Sequence, residues 1–90
     1  MKEITDELVI VNNLGMHARP AATLVQTVLE FESDITIQKN GREVNAKSIM
    51  GLLTLAAAHG SRVTVTCKGP DAEDAMEAVR KLFETGFGEQ

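Results

Sequence analysis

Two hydrophobic periods alternate along the chain, one typical of strands and one typical of helices. The run from Ile4 to Val11 is rich in β-branched residues and stops at Asn12-Asn13, which predicts a first strand. From Ala18 the period becomes helical, with one stripe of small and apolar residues: Ala18, Ala21, Ala22, Val25, Val28 and Leu29. This stripe predicts a first helix that ends between Glu30 and Glu32.

A β-hairpin follows, and its register can be predicted from the turn. Asn40-Gly41 is a dipeptide favoured by the type I′ turn, in which both residues have positive φ. With this turn the apolar pairs are Ile37 with Val44 and Ile35 with Ala46, and the polar pairs are Gln38 with Glu43 and Thr36 with Asn45. Apolar and polar residues then occupy opposite faces, which supports the register.

The next segment predicts a second helix, over Ser48 to Ala58, with no charged residue in it. Ser48 is its expected N-cap, and Gly60 is expected to stop it at the other end. A short surface helix needs only one apolar stripe to reach the core. The additional apolar residues therefore predict an exposed patch of the kind that often marks a partner surface.

The last part of the chain predicts a strand and a helix. Ser61 to Lys68 alternates between apolar and polar residues, as expected of a strand with one solvated face. Gly69-Pro70 then breaks the chain, and a third helix, ending at Gly86, buries one stripe: Ala72, Ala75, Met76, Val79, Leu82 and Phe83. The order β-α-β-β-α-β-α predicts an α+β fold, in which three helices cover one face of a four-stranded antiparallel sheet.

Composition narrows the class of protein further. The 90 residues are enough for one domain, and the net charge of −4 with no Trp or Tyr argues against a nucleic-acid partner. The single cysteine, Cys67, excludes an internal disulfide, which fits a reducing compartment. No apolar run approaches the roughly 20 residues that span a bilayer, and the first residues do not resemble a signal peptide. We therefore expect a small cytoplasmic domain that is not inserted in a membrane.

The corner between the first strand and the first helix carries the candidate chemistry. Gly15 permits a bend, and Pro20 suits the first turn of a helix, which places His17 at or just before the helix start. Free N–H groups and the positive end of the helix dipole form an anion site there. The dipole favours a neutral, nucleophilic imidazole, and Arg19 would stabilise a bound phosphate. The alternatives are that His17 only caps the helix and that Arg19 is only solvated.

Three other residues have both a structural and a functional interpretation. Ser48 could be a regulatory phosphorylation site, but spacing alone favours a helix cap. His59 has no catalytic neighbour in sequence and is interpreted as structural, while Cys67 alternates onto the buried strand face and is expected to be inert. The chain has no nucleotide-binding glycine motif and no Cys/His cluster, so we expect neither cofactor nor metal. These features favour a carrier or substrate over a stand-alone enzyme.

Two segments together, Gly15 to Ala22 and Asn45 to Leu55, carry a family resemblance. The chain resembles the HPr family, the histidine-containing phosphocarriers of the bacterial phosphoenolpyruvate-dependent phosphotransferase system, and the likeness covers nearly all of it. The resemblance implies an open-faced β-sandwich. It also implies that His17 accepts a phosphoryl group on Nδ1 from phosphorylated Enzyme I, assisted by Arg19, and passes it to an Enzyme IIA-type acceptor.

The same resemblance implies a docking surface and a regulatory site. Four residues match the apolar docking surface of the family: Met16, Ile49, Met50 and Leu53. Ser48 matches the serine that HPr kinase/phosphorylase modifies in bacteria that have this enzyme. The motifs fit both the sugar-transport and the nitrogen-related branches, and we expect a monomer. Two alternatives stay open: a regulatory module acting through Ser48 and the Ile49/Met50 patch, and a stand-alone phosphotransferase for small molecules.

Overall fold

The computed structural model describes residues 2–89. Its elements are β1 (Glu3–Val9), α1 (Ala18–Val28), β2 (Asp34–Lys39), β3 (Arg42–Asn45), α2 (Ile49–Thr54), β4 (Arg62–Lys68) and α3 (Ala72–Glu84). The predicted order β-α-β-β-α-β-α is confirmed. A 3-10 turn over Gly86–Gly88 follows α3, and no hydrophobic period in the sequence indicates it.

The four strands form one antiparallel sheet in the order β1-β4-β2-β3. The central strand β4 alternates as predicted, with Val63, Val65 and Cys67 buried against the helices. Thr66 lies on the other face, where its hydroxyl is 3.1 Å from that of Thr5 on β1. One face of the sheet is therefore apolar and covered, and the other is polar.

The hairpin between β2 and β3 has the predicted turn and register. Asn40 and Gly41 have φ angles of +53° and +84°, as a type I′ turn requires. The ladder pairs Thr36 with Asn45, Ile37 with Val44 and Gln38 with Glu43. Just beyond the ladder, the Ala46 N–H donates to the Ile35 carbonyl at 2.9 Å, which continues the same register.

The helices pack together on the apolar face, with α1 against α2 and α3, and α3 against β1 and β4. Helix α1 ends at Val28, earlier than predicted, and the neighbouring Leu29 is 60% exposed. The core side of α1 is formed by Pro20, Ala21, Leu24, Val25 and Val28. Compared with the predicted stripe, the buried face gains Pro20 and Leu24 and loses Ala18, Ala22 and Leu29, because it is centred about one position away. Gly86 ends α3 as expected, with φ +62° just after the C-cap Thr85.

The second helix is shorter than predicted. Helix α2 ends at Thr54 rather than Ala58, and the residue with positive φ directly after its C-cap is Ala56, with φ +50°, rather than Gly60. The reason is a tertiary contact. The Ala57 carbonyl accepts a hydrogen bond of 2.8 Å from the Met16 N–H, so this segment is held against the loop before α1 and leaves the helix.

The first strand is also shorter than predicted, because β1 ends at Val9 rather than Val11. Ile10 still exchanges backbone hydrogen bonds with the start of the β4 region, accepting from Gly60 at 2.8 Å and donating to Ser61 at 2.9 Å. The chain then turns inward, and Asn12 is 1% exposed. Within residues 2–89 no helix has the length and apolar character needed to cross a membrane.

Candidate functional site

His17 is the N-cap residue of α1. Its backbone is extended, with φ −93° and ψ −169°, and its carbonyl accepts the Ala21 N–H at 3.1 Å. Its side chain makes no capping hydrogen bond, and 36% of that side chain is exposed. The ring is therefore not used to cap the helix, and it is accessible for chemistry.

The loop that presents His17 is held by a close backbone contact. Gly15 has φ +70°, and a Cβ atom there would lie 2.5 Å from the Ala57 carbonyl oxygen. Only glycine permits this approach without a shift of the backbone. The next residue, Met16, makes the hydrogen bond to Ala57 described above. The site loop and the segment after α2 are therefore fixed to each other.

A carboxylate contacts one ring nitrogen of His17. Nε2 of His17 is 2.9 Å from Oε1 of Glu89, which lies just after the 3-10 turn. The same oxygen accepts a hydrogen bond of 2.9 Å from Nδ2 of Asn12, and this amide also donates to the Gly15 carbonyl at 2.8 Å. The hydrogen bond with His17 is the main cause that lowers the pKa of Glu89, opposed by burial and assisted by Asn12 and the charge of Arg19.

The protonation of the ring follows from this network. A carboxylate whose pKa is lowered is ionised at neutral pH and can only accept hydrogen bonds. Nε2 of His17 is therefore the donor, and in the neutral imidazole the lone pair belongs to Nδ1. Within residues 2–89 Nδ1 of His17 makes no hydrogen bond, so in this tautomer its lone pair is available.

The start of α1 provides donors for an anion. The N–H groups of Ala18 and Arg19 lie in the first turn and have no carbonyl four residues earlier within the helix. The Arg19 side chain is exposed, and within residues 2–89 it makes no hydrogen bond or ion pair. These groups and the helix dipole favour a negative charge beside His17.

Ser48 and the exposed apolar patch lie on α2. The Ser48 hydroxyl accepts the Gly51 N–H at 3.0 Å, which confirms the predicted N-cap. Three apolar side chains of α2 are exposed: Ile49 by 40%, Met50 by 72% and Leu53 by 36%. Exposure of this patch is confirmed, whereas its role in docking stays a prediction.

One predicted docking residue is not at the surface. Met16 is only 6% exposed and belongs to the core, so its side chain offers little area to a partner. Leu14, two residues earlier, is 76% exposed and was not part of the predicted docking surface. The tight turn at Gly15 directs the chain inward at Met16 and leaves Leu14 outside, and the docking role of Met16 stays a prediction.

The remaining candidates do not join the site. His59 is exposed and makes no side-chain hydrogen bond within residues 2–89. Cys67 is fully buried as predicted, and burial raises the pKa of its thiol to about 11, which disfavours the reactive thiolate. Over the described part of the chain, no group of three or more His, Cys, Asp or Glu side chains is arranged to hold a metal ion.

Sequence reasoning did not identify Glu89 and Asn12 as site residues. Glu89 is 72 residues from His17 and follows a turn that no hydrophobic period indicates. Asn12 carries a weak signal, because the polar Asn12-Asn13 pair that ends the first strand stands directly before the His17 loop. The signal is weak because such pairs commonly mark turns without further function.

Comparison with known proteins identifies relatives over nearly the whole chain. Residues 4–85 match the family described as PTS HPr component phosphorylation site. The phosphocarrier protein HPr of Xylella fastidiosa is 51% identical over 83 residues, which cover 92% of this chain and 93% of that protein. A crystal structure of HPr-C-His from Thermoanaerobacter tengcongensis has a TM-score of 0.89 and 46% identity, and covers 100% of this chain and 99% of that one. A crystal structure of an HPr dimer from the same organism has a TM-score of 0.78 and 46% identity, and covers 99% and 100% of the two chains.

Proposed function

The chain belongs to the HPr family of phosphocarrier proteins of the phosphotransferase system, and on that premise we propose that His17 carries the phosphoryl group. In this proposal Nδ1 of His17 accepts the group from phosphorylated Enzyme I and then donates it to a histidine of an Enzyme IIA-type acceptor. The observation that carries the proposal is the position of His17: an accessible ring at the start of α1, beside the N–H groups of the first helical turn.

The transfer step requires positioning and charge stabilisation rather than a separate catalyst. The lone pair of Nδ1 attacks phosphorus in line, a P–N bond forms, and the bond from phosphorus to the donor atom of Enzyme I breaks with its electron pair left on that donor. The N–H groups of Ala18 and Arg19 and the Arg19 guanidinium stabilise the phosphoryl oxygens. Transfer to the acceptor is the same step in reverse, so these groups serve both partners.

Docking is assigned to the exposed apolar side chains of α2, namely Ile49, Met50 and Leu53. Their exposure supports the assignment, and the hydrogen bond between Met16 and Ala57 fixes the segment after α2 to the loop of His17. A partner seated on α2 would therefore meet a site loop of defined position. Donor and acceptor use this surface in turn, so both encounter His17 in the same orientation.

Ser48 is the proposed regulatory site. It is the N-cap of α2, directly before Ile49 and Met50, so a phosphate there would add charge beside the docking surface. HPr kinase/phosphorylase would be the modifying enzyme. The N-terminus of α2 would stabilise the phosphate, but the added charge would weaken docking of an apolar partner surface. We therefore expect Ser48 phosphorylation to slow transfer from Enzyme I.

We also propose that the relay operates in the cytoplasm and that the chain acts as a monomer. A related HPr has been crystallised as a dimer, so the second statement is tested by the mass of this chain in solution at micromolar concentration. A mass of one chain supports the monomer, and a mass of two chains contradicts it.

The experiment that tests the function is the intact mass of the protein after incubation with phosphoenolpyruvate and Enzyme I. We expect one added phosphoryl group that is labile in acid and absent from the His17→Ala variant. Absence of added mass, with Enzyme I shown to be active on another HPr, would contradict the carrier function. Retained partner binding by His17→Ala would then favour the regulatory module, and phosphorylation without Enzyme I would favour the stand-alone phosphotransferase.

A further inference from the structure

We propose that Glu89 is a positioning residue for the phosphoryl relay: together with Asn12 it holds the Nε2–H form of His17 and directs Nδ1 toward the transferred group. The proposal rests on the carrier function proposed above. Glu89 itself contacts neither the donor nor the phosphoryl group. It acts only through the ring of His17.

The first support is that the segment bearing Glu89 is anchored. Phe87 is 5% exposed, and its ring packs against that of Phe83 on α3 with centroids 4.9 Å apart. Phe87 has φ +59°, a conformation that a non-glycine residue keeps only when the surrounding structure holds it. Phe87, two residues before Glu89, thus fixes the 3-10 turn to the core. The position of the Glu89 carboxylate is therefore restrained by this anchor.

The second support is the buried amide of Asn12. Its Nδ2 donates to the Gly15 carbonyl and to the Glu89 carboxylate, so one side chain joins the loop before His17 to the segment after α3. Asn12 is 1% exposed, and its Oδ1 has no hydrogen-bond partner in the described structure. A buried polar atom without a partner is costly. The amide of Asn12 therefore contributes through its two donated bonds, which connect the loop before His17 to the segment after α3.

The third support is where the contacts fall on the ring. Glu89 occupies the Nε2 edge of His17, and the amides at the start of α1 belong to the backbone that follows His17. The phosphoryl group on Nδ1 is therefore attached at the nitrogen that Glu89 does not contact. The Glu89 carboxylate can therefore hold the ring through Nε2 without occupying the place of the phosphoryl group on Nδ1.

The charge balance of the transfer explains what the carboxylate contributes. When Nδ1 forms the bond to phosphorus, Nε2 keeps its proton, so the ring gains positive charge while the donor atom recovers its electron pair. The Glu89 carboxylate is already in hydrogen-bond contact with that N–H and needs no rearrangement to stabilise the charge. When the group leaves for the acceptor, the charge disappears and the same N–H form is restored.

The tautomer can be measured without any partner. In protein labelled with ¹⁵N at histidine, about two pH units above the ordinary histidine pKa of ~6.5, the two ring nitrogens of His17 should have the limiting shifts of a single Nε2–H form. In Glu89→Ala we expect both shifts to move toward averaged values. Glu84→Gln, which alters an exposed carboxylate of α3, is the control and should leave them unchanged.

Transfer from phosphorylated Enzyme I is measured on the same proteins. Loss of the carboxylate that orients a histidine costs roughly 10- to 100-fold in metal sites, and we expect about a tenfold lower rate for Glu89→Ala. Glu89→Gln keeps an acceptor for Nε2–H but no charge, so it should retain the tautomer and show an intermediate rate. If Glu89 only stabilised the fold, Glu89→Gln would not keep the tautomer while lowering the transfer rate. Since Asn12→Ala removes a buried side chain, its folding is verified by thermal unfolding before its tautomer is compared.

The outcomes are distinct. Averaged shifts in the wild type, or shifts and rates that are the same in Glu89→Ala and Glu84→Gln, would overturn the positioning role. If the wild type accepts no phosphoryl group at all, the carrier function fails. In that case the positioning role in transfer fails with it, although the shifts still show whether Glu89 fixes the ring.

Discussion

Asp71 and Ser33 are joined by two hydrogen bonds to a single carboxylate oxygen: Oδ1 of Asp71 accepts the Ser33 N–H at 2.9 Å and the Ser33 hydroxyl at 2.5 Å. The other oxygen accepts the Glu32 N–H at 2.9 Å. Asp71 is the N-cap residue of α3, but its side chain does not cap that helix. It ties the segment between α1 and β2 to the start of α3 instead.

We expect this contact to make stability depend on pH in the acid range. The hydroxyl of Ser33 and the N–H of Glu32 lower the pKa of Asp71 from its ordinary value of 3.8. A lowered pKa stabilises the folded chain above the ordinary value, and this stabilisation is lost as the pH falls through the folded-state value. Asp71→Asn should therefore reduce the free energy of unfolding at pH 7, and its difference from the wild type should shrink below about pH 4.

Urea unfolding at a series of pH values measures this effect. Asp34→Asn is the matched control, since Asp34 is exposed on β2 and makes no side-chain hydrogen bond in the described structure. A constant difference between Asp71→Asn and the wild type at all pH values would contradict the assignment.

Charge at Ser48 is expected to slow the relay. Ser48→Asp places a carboxylate at the N-cap of α2 beside Ile49 and Met50, and should lower the rate of transfer from Enzyme I. Ser48→Asn is the control, because asparagine caps as well as aspartate but adds no charge. Equal rates for the two variants would show that charge is not the cause. Ser48→Ala, which removes the cap, should cost about 1 kcal/mol of stability.

Ala56 is expected to limit stability. Its φ of +50° lies in the left-handed region, which costs an L-residue roughly 1–2 kcal/mol, while glycine loses roughly 0.5–1 kcal/mol of chain entropy. Ala56→Gly should therefore raise the free energy of unfolding by about 0.5–1 kcal/mol in thermal or urea unfolding. Ala58→Gly, at a neighbouring exposed residue without positive φ, should not raise it. A loss of stability in Ala56→Gly would contradict the expected relief of strain.

Gly15 and Gly60 form a matched pair for the packing of the site loop. Both have positive φ, at +70° and +86°, but a Cβ at Gly15 would meet the Ala57 carbonyl oxygen at 2.5 Å, whereas one at Gly60 meets no atom within 4 Å. Gly60→Ala should cost about 1 kcal/mol through its backbone alone. Gly15→Ala should cost about 1–3 kcal/mol more, because the loop must shift, and it should also slow transfer to His17. Similar losses in the two variants would show that the close contact is unimportant.

Much of the fold is predictable because its signals are local. The Asn40-Gly41 turn determines the hairpin register by itself, and the strict alternation of β4 identifies the buried face of the sheet. Ser48 is predictable as an N-cap for the same reason, since capping involves only the next three residues.

Two of the features that the sequence does not predict depend on contacts between distant segments. The end of α2 is determined by the hydrogen bond between Met16 and Ala57, which joins residues 41 positions apart. The same loop buries Met16 and exposes Leu14, and neither exposure follows from the sequence motif alone. Glu89 reaches His17 only through the turn after α3, and no periodicity encodes that turn. At the candidate site, the sequence singles out His17 and Arg19 but not Glu89 and Asn12, whose side chains contact the ring and the loop before it.

The position of Cys67 gives the molecule a built-in reporter of sheet opening. Cys67 lies on the interior strand β4, paired with Ile4 on β1 on one side and with Ile35 on β2 on the other. It is fully buried, so a maleimide can reach it only after one of these strand pairs has separated or the helices have lifted away. The rate of alkylation under native conditions therefore measures how often the interior opens, with no engineered label and no second thiol to confuse the signal.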